Sequence, residues 1–220
     1  MLFNESEKNM IITAIEEQKK NKARRSVFID GEFAFGLSAE DVYLYRLREG
    51  DKITAEQLDK IKATAVLQDA KNLALRYLSY SARTKNEMVR KLKTYDLDEE
   101  IINEVLSFLE AHKFIDDFSY AQKFAQSKTR SGYGKQRLKS DLFQKGIPRD
   151  IIDEVLQNIS DTEDSVEKIK EILEKKIKSD DIKEFNKAEK QKIYNFLGRR
   201  GFSFDEAKKG IRLYWEERLT

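Results

Sequence analysis

Two adjacent carboxylates, Asp116 and Asp117, are the residues of this chain whose types and spacing come nearest to a reactive site. With Glu110 and His112 close by in sequence, they suggest a divalent ion, and a metal-dependent nuclease needs carboxylates converging on one. The simpler reading is preferred. One of the two aspartates caps a helix that begins near Phe118, its carboxylate accepting from exposed backbone N–H groups. His112 is the only histidine, so no histidine pair or triad can form within the chain. At a helix end it serves better as a partner for exposed carbonyl groups. There is no cysteine. That excludes thiol catalysis, thiolate metal sites and a disulfide framework, and it suits a reducing cytosol. The chain therefore reads as a non-enzyme, with no catalytic residue, metal, cofactor or small-molecule substrate expected.

Charge gives the stronger signal. Lys123, Lys128, Arg130, Lys135, Arg137, Lys139 and Lys145 are opposed only by Asp141 between Gln122 and Lys145. An analogous upstream cluster holds Arg76, Arg83, Lys85, Arg90, Lys91 and Lys93 against Glu87. Acidic residues gather elsewhere, at Asp98, Glu99, Glu100 and Glu104 and again at Asp150, Asp153 and Glu154. The formal net charge is only +2, but this segregation lets one face be positive. The candidate contact residues are Lys123, Lys128, Arg130, Tyr133, Lys135, Arg137 and Lys139, with Arg83, Lys85 and Arg90 from the first cluster. They fit a polyanion or an acidic protein face. The competing reading is a solvated helix face in a lysine-rich protein. Tyr133, between two glycines, is either an exposed contact or a plug in an inter-helix turn.

These residues sit in a repeat. DEEIINEVL (Asp98 to Leu106) returns as RDIIDEVL (Arg149 to Leu156), a step of 50 residues from Ile101 to Ile151, and a third copy follows as FDEAKKGI (Phe204 to Ile211). Self-similarity at that period with helical patterning points to tandem helical modules. Leu92, Leu142 and Leu197 correspond, each followed four residues later by Asp96, Gly146 or Gly201 and then by Leu97, Ile147 or Phe202. That is a left-handed helix stop closed by an apolar residue. Pro148 fits the first turn of a third helix. Capping boxes are expected at Thr54 with Gln57, Thr84 with Glu87, Asn186 with Glu189 and Ser203 with Glu206. Helices are expected over 65–80, 85–94, 98–111, 117–130, 134–145, 148–158, 163–178, 187–198 and 204–218, with Phe202, Phe204, Tyr214 and Trp215 in the last module's core.

The first residues read differently. Met10 to Ile15 favours β structure, Lys19 to Arg25 forms a basic turn, and Asp30-Gly31 between alternating apolar segments signals a hairpin. Phe28, Phe33 and Phe35 are expected to fill a small core, and Ser38 to cap a short helix through Leu47. The fold class is thus mostly α: three tandem three-helix modules forming an elongated array, preceded by a small α+β N-terminal domain with a β-hairpin. The boundaries are 1–62, 63–113, 114–160 and 161–220. The N-terminus lacks a secretory pattern, and no run approaches the roughly 20 apolar residues of a membrane helix. A cytoplasmic protein that stays off membranes is expected.

The stretch Phe114 to Ile147 resembles the middle of the RecX family, bacterial regulators of the RecA recombinase. The resemblance rests on Ile115-Asp116-Asp117, on Tyr120-Ala121, on the basic stretch Lys128 to Gly134, and on the Leu142 to Ile147 ending with Lys145-Gly146-Ile147. Ala74 to Leu92 looks like the family's first module. The likeness runs from about Asn72 to Leu219 and is weaker in the third module; residues 1–62 carry no assignable motif. It implies a protein that binds the RecA filament on single-stranded DNA and lowers its ATP hydrolysis, strand exchange and co-protease activity. It would thereby restrain homologous recombination, DNA repair and the SOS response. The expected partners are the RecA filament and single-stranded DNA, met by a monomer. The alternative is a helical protein that binds DNA directly without RecA.

Overall fold

A computed structural model describes residues 10–19, 21–159, 162–177 and 186–218, with the side chains of 162–164 left aside. Four strands form an antiparallel sheet in the order β3-β2-β1-β4. They are β1 (Met10–Gln18), β2 (Asn21–Ile29), β3 (Glu32–Ser38) and β4 (Lys52–Ile53). Asp30 and Gly31 turn between β2 and β3 with φ of 52° and 85°, the two positive angles a tight hairpin needs. Of the expected basic turn, Lys19 lies in the turn after β1, whereas Lys22, Arg24 and Arg25 are already on β2. The sheet buries Ile12, Val27, Ile29, Phe35, Leu37 and Ile53. Phe33 does not join them. It is 42% exposed and meets Phe28 edge to face; the β2–β3 pairing shifts register between Val27–Phe35 and Phe28–Phe33, and such a bulge breaks the alternation that would put Phe33 and Phe35 on one face.

Ser38 caps α1 (Ala39–Leu44), shorter than expected. Arg46 ends it in the left-handed conformation, with Arg46 N–H donating to Tyr43 O and Leu47 N–H to Val42 O. The next helix runs from α2 (Ala55–Ile61) through a π-helical turn at Lys62–Val66 into α3 (Leu67–Tyr80). The first module is completed by α4 (Lys85–Leu92) and α5 (Glu99–Ala111). The second holds α6 (Asp117–Arg130), α7 (Lys135–Gln144) and α8 (Arg149–Gln157). The third holds α9 (Thr162–Lys176), α10 (Lys187–Arg199) and α11 (Phe204–Glu216). All four expected capping boxes form with both reciprocal hydrogen bonds. The expected end of the 163–178 helix, at Lys178, lies outside the described residues.

The repeat has a physical core. Leu92, Leu142 and Leu197 are each fully buried; truncating such a leucine typically costs about 2–5 kcal/mol. Asp96, Gly146 and Gly201 follow with φ of 52°, 78° and 89°, so each second helix stops in the same left-handed turn. Two details differ from expectation. Pro148 occupies the cap position just before α8 rather than its first turn. Phe204 is 66% exposed: it is the first residue of α11, one turn before buried Ala207, and its ring stacks on Tyr194 at 5.1 Å instead of entering the core.

The chain divides into two compact units, meeting in sequence at Ile115 and Asp116. In the first, the sheet and the first module share one core that runs from Ile12 and Leu37 to Ala70, Met88 and Leu109. In the second, Leu138, Leu142 and Ile152 centre one cluster and Ile169, Leu197 and Tyr214 another. The turns of these two modules interlock. Gly134 N–H donates to Arg200 O at 2.8 Å and Gln136 N–H to Gly201 O at 3.1 Å. A Cβ on Gly201 would meet Arg137 N at 2.2 Å, and one on Gly134 would meet Gly201 O at 2.4 Å. Only glycine allows so close an approach of backbones.

Candidate partner-binding surface

Asp116 serves as the cap of α6. Its Oδ1 accepts from Ser119 N–H at 2.8 Å and its Oδ2 from Ser119 Oγ at 2.8 Å. His112 Nδ1 lies 2.9 Å from Phe108 O at the end of α5. No cluster of three or more histidine, aspartate or glutamate side chains able to hold a metal ion occurs among the described residues.

The ten candidate contact residues fall into distinct environments. Three meet carboxylates of their own module. Lys85 Nζ is 2.8 Å from Glu110, Arg137 Nε is 2.8 Å from Asp141, and Lys139 Nζ is 2.7 Å from Asp153. Two are seated on aromatic rings. Arg83 lies 4.5 Å above the Tyr77 ring, and Lys128 lies 4.9 Å above Tyr133 and 5.5 Å above Phe124. Lys123, Arg130 and Lys135 have no carboxylate partner among the described residues. Arg90 is exposed on α4. Tyr133 is half-buried, between the cations of Lys128 and Arg200.

Helix geometry divides the set further. Lys123 and Arg130 are two turns apart on one face of α6, while Lys128 stands well round the helix from both. Lys135 and Lys139 share a face of α7, and Arg137 points elsewhere. The basic segment is therefore not one uniform face.

Two of them, Lys128 and Tyr133, belong to a row of rings and cations. Lys145 lies over Tyr120 at 5.3 Å and Phe124 at 5.8 Å. Lys128 links Phe124 to Tyr133. Arg200 lies over Tyr133 at 5.5 Å and Phe196 at 4.9 Å, and Lys176 over Phe196 at 4.4 Å. Arg200 also donates to Ser131 O and Gly132 O at 3.2 and 3.1 Å, which fixes its guanidinium between the second and third modules. A cation over a ring gains about 0.5–1 kcal/mol at an exposed site and keeps its full charge, whereas a carboxylate partner cancels it. Reading the sequence alone misses Arg200 and Lys176, which come from the third module. The four-residue steps from Tyr120 to Phe124 to Lys128 are a detectable signal for the rest.

The first unit carries a shorter version. Arg83 and Lys91 lie 4.5 and 5.6 Å from the Tyr77 ring, and Lys91 and Arg24 lie 4.9 and 5.3 Å from that of Tyr95. Arg24 is buried and bonded to Asp69 of α3. Burial pushes the Asp69 carboxyl above its ordinary value, against the pull of the Arg24 charge.

Comparison with known proteins gives one consistent answer. Four family models match in order: the RecX N-terminal domain at residues 10–54, and the first, second and third RecX three-helix domains at 70–109, 116–156 and 162–211. A regulatory protein RecX from Caldanaerobacter subterraneus subsp. tengcongensis is 34% identical over 204 residues, covering 93% of this chain and 100% of the relative. Its counterpart in Clostridium beijerinckii is 35% identical over 202 residues, 91% of this chain and 94% of the relative. A crystal structure of regulatory protein RecX aligns with TM-score 0.62 and 28% identity over 92% of this chain and 99% of that one. RecX from Lactobacillus salivarius aligns with TM-score 0.61 and 28% identity over 67% of this chain and 96% of that one.

Proposed function

The chain belongs to the RecX family of regulatory proteins, and from that premise we propose that it binds the RecA filament on single-stranded DNA and restrains it. The observation that carries this reading is the row of cations held on aromatic rings from Tyr120 to Phe196. Lys128, Lys176 and Arg200 keep their charge there in fixed positions, ready for acidic or phosphate groups of a large partner. Lys123, Arg130 and Lys135 add to the same charge, with Arg83 and Arg90 as contacts from the first module. A chain of similar modules gains affinity by engaging several protomers of a filament at once. No chemistry by this chain is required, because the ATPase under control belongs to RecA. A monomer acting in the cytoplasm suits this role, and no helix among the described residues is long and apolar enough to cross a membrane.

The test is RecA ATP hydrolysis on single-stranded DNA with increasing amounts of this protein. Inhibition at substoichiometric ratios is expected. If the protein neither binds the filament nor changes its ATPase rate, the reading is wrong. Interleaved rings and cations also favour a second reading, direct binding of single-stranded DNA by stacking and charge. Tight binding to bare DNA with a steep salt dependence, and no change in RecA activity, would establish that alternative.

A further inference from the structure

Three concavities of the second unit meet at Arg130. The first, about 290 Å³, is floored by Leu138, Ile159 and Phe202. The second, about 230 Å³, lies over Val155 and Ile159. The third, about 400 Å³, lies over Ile172 and Phe196. Arg130 lines all three, and Thr129 lines the first two, so they form one groove around the end of α6 and along α9. Its floor is apolar and its rim cationic, with Lys135, Lys168, Lys175 and Arg200 beside Arg130. The two rim carboxylates are already engaged: Glu171 by Lys168 at 2.7 Å and Glu167 by Lys170 at 2.9 Å. Arg130 and Lys175 have no ion-pair partner among the described residues.

The geometry points to a docking site for an acidic peptide segment of a partner protein. Two apolar side chains of that segment enter the concavities on either side of Arg130, and its carboxylates meet the rim. A few hundred Å³ suits single large side chains placed in turn, and a small number of convergent polar groups above an apolar floor is the usual form of a ligand site. Nucleic acid fits less well. Single strands use planar rings for stacking, but most of this floor is aliphatic, at Leu138, Val155, Ile159 and Ile172. Unlike the row of cations, the groove asks for apolar anchors as well as negative charge. It goes beyond the proposed regulation of RecA, and its test uses a free peptide, so the two can fail separately.

The probe is a fluorescein-labelled twelve-residue peptide of aspartate and glutamate carrying leucine and phenylalanine four positions apart. Its controls are the same peptide with both apolar residues changed to serine, and an oligothymidylate. Binding is read by anisotropy and by amide chemical shifts of the whole protein. Shifts centred on Arg130, Ser165 and Ile172 are expected, with the serine peptide at least about tenfold weaker. Arg130→Glu should weaken the acidic peptide by about tenfold. Arg149→Glu, the same charge change at an exposed residue of α8 outside the groove, should stay within about twofold and keep the parent fold by circular dichroism. The proposal is overturned if the peptide gives no shifts in the groove, if the serine peptide binds equally well, or if Arg130→Glu binds like the parent. Groove shifts from oligothymidylate where the peptide gives none would assign the groove to nucleic acid and overturn it too.

Discussion

Removing either half of the Arg24–Asp69 pair should destabilise the first unit, but with different dependence on pH. Arg24 on β2 is 2% exposed, donates through Nη1 to the Asp69 carboxylate, and leaves Nε and Nη2 without a hydrogen-bond partner. The two partners differ chemically. A guanidinium stays charged at any working pH, whereas a carboxyl can become neutral by taking a proton. Asp69→Ala leaves a buried charge with no way out and should cost about 3–5 kcal/mol, nearly constant between about pH 5 and 8. Arg24→Met leaves Asp69, whose carboxyl burial already pushes up. Without the opposing Arg24 charge it rises further above its unfolded value of about 3.9. The folded state then binds the extra proton throughout the window between the two values. The variant is therefore relatively most stable below that window. It loses up to about 1.4 kcal/mol per pH unit as pH rises towards the folded pKa. Arg24→Met with Asp69→Leu should recover most of the loss, because apolar replacements of a buried pair are often neutral or stabilising by about 1–4 kcal/mol. Urea denaturation by far-UV circular dichroism from pH 5 to 8 measures this, while fluorescence of Trp215 follows the second unit's core. Equal, pH-independent losses in the two single variants would refute the reasoning, as would a double variant no more stable than Asp69→Ala.

Three further outcomes are expected. Lys128→Glu with Lys176→Glu should weaken RecA-filament binding by about tenfold, while Arg137→Ala with Lys139→Ala changes it by under about twofold, since those two cations meet Asp141 and Asp153; co-sedimentation with filaments measures both. Tyr133→Ala should lower the unfolding free energy of the second unit, read by urea denaturation, by about 1–3 kcal/mol, as removal of a half-buried plug does; a binding loss at unchanged stability would make Tyr133 purely a contact. Gly201→Ala should destabilise the same unit by about 1–3 kcal/mol or more, because its φ is 89° and a Cβ meets the Arg137 backbone; an unchanged Trp215 transition would show that the turn yields freely.

The helical frame was legible because its rules are local. Capping boxes, left-handed stops and the four-residue step from Leu92, Leu142 or Leu197 to its stop each involve residues within a few positions of one another, so the sequence carries them without tertiary information. Pairings across distance were not legible. Lys22, Arg24 and Arg25 form a run of charge in sequence, yet β2 turns Arg24 inward to meet Asp69, 45 residues away. Nothing local separates it from its exposed neighbour Ala23 or half-buried Arg25. The exposure of Phe33 follows from a register shift in the β2–β3 pairing, and that of Phe204 from its place at the first position of α11, beyond the edge of the core. Arg200 reaches Tyr133 only because Gly134 and Gly201 let two turns interlock, a contact between residues 67 positions apart in number. For the binding surface, residue type located the basic segment, but only the fold shows which cations are neutralised.

That division follows a rule that spans the first two modules. The acidic third helices supply counter-ions to the second helices: Glu110 of α5 to Lys85 of α4, Glu99 of α5 to Lys93 just past α4, and Asp153 of α8 to Lys139 of α7. The first helix of the second module, α6, has no such neighbour for its cations. Lys123 and Arg130 lack carboxylate partners among the described residues, and Lys128 rests on rings. Charge that looked evenly spread along each basic cluster is thus met by carboxylates at Lys85, Lys93, Arg137 and Lys139, and retained on α6 and at Lys135 of α7. A formal total of +2 is then compatible with a positive strip, because acids gather on other helices, at Glu99, Glu100 and Glu104 of α5 and at Asp150, Asp153 and Glu154 of α8. Aromatic seats matter for the same reason. They fix a long side chain and lower the entropy it loses on binding, without the neutralisation that a carboxylate would bring. For the proposed filament binding, a small overall charge with its positive part gathered on α6, Lys135, Lys176 and Arg200 holds a polymer without precipitating on every polyanion it meets.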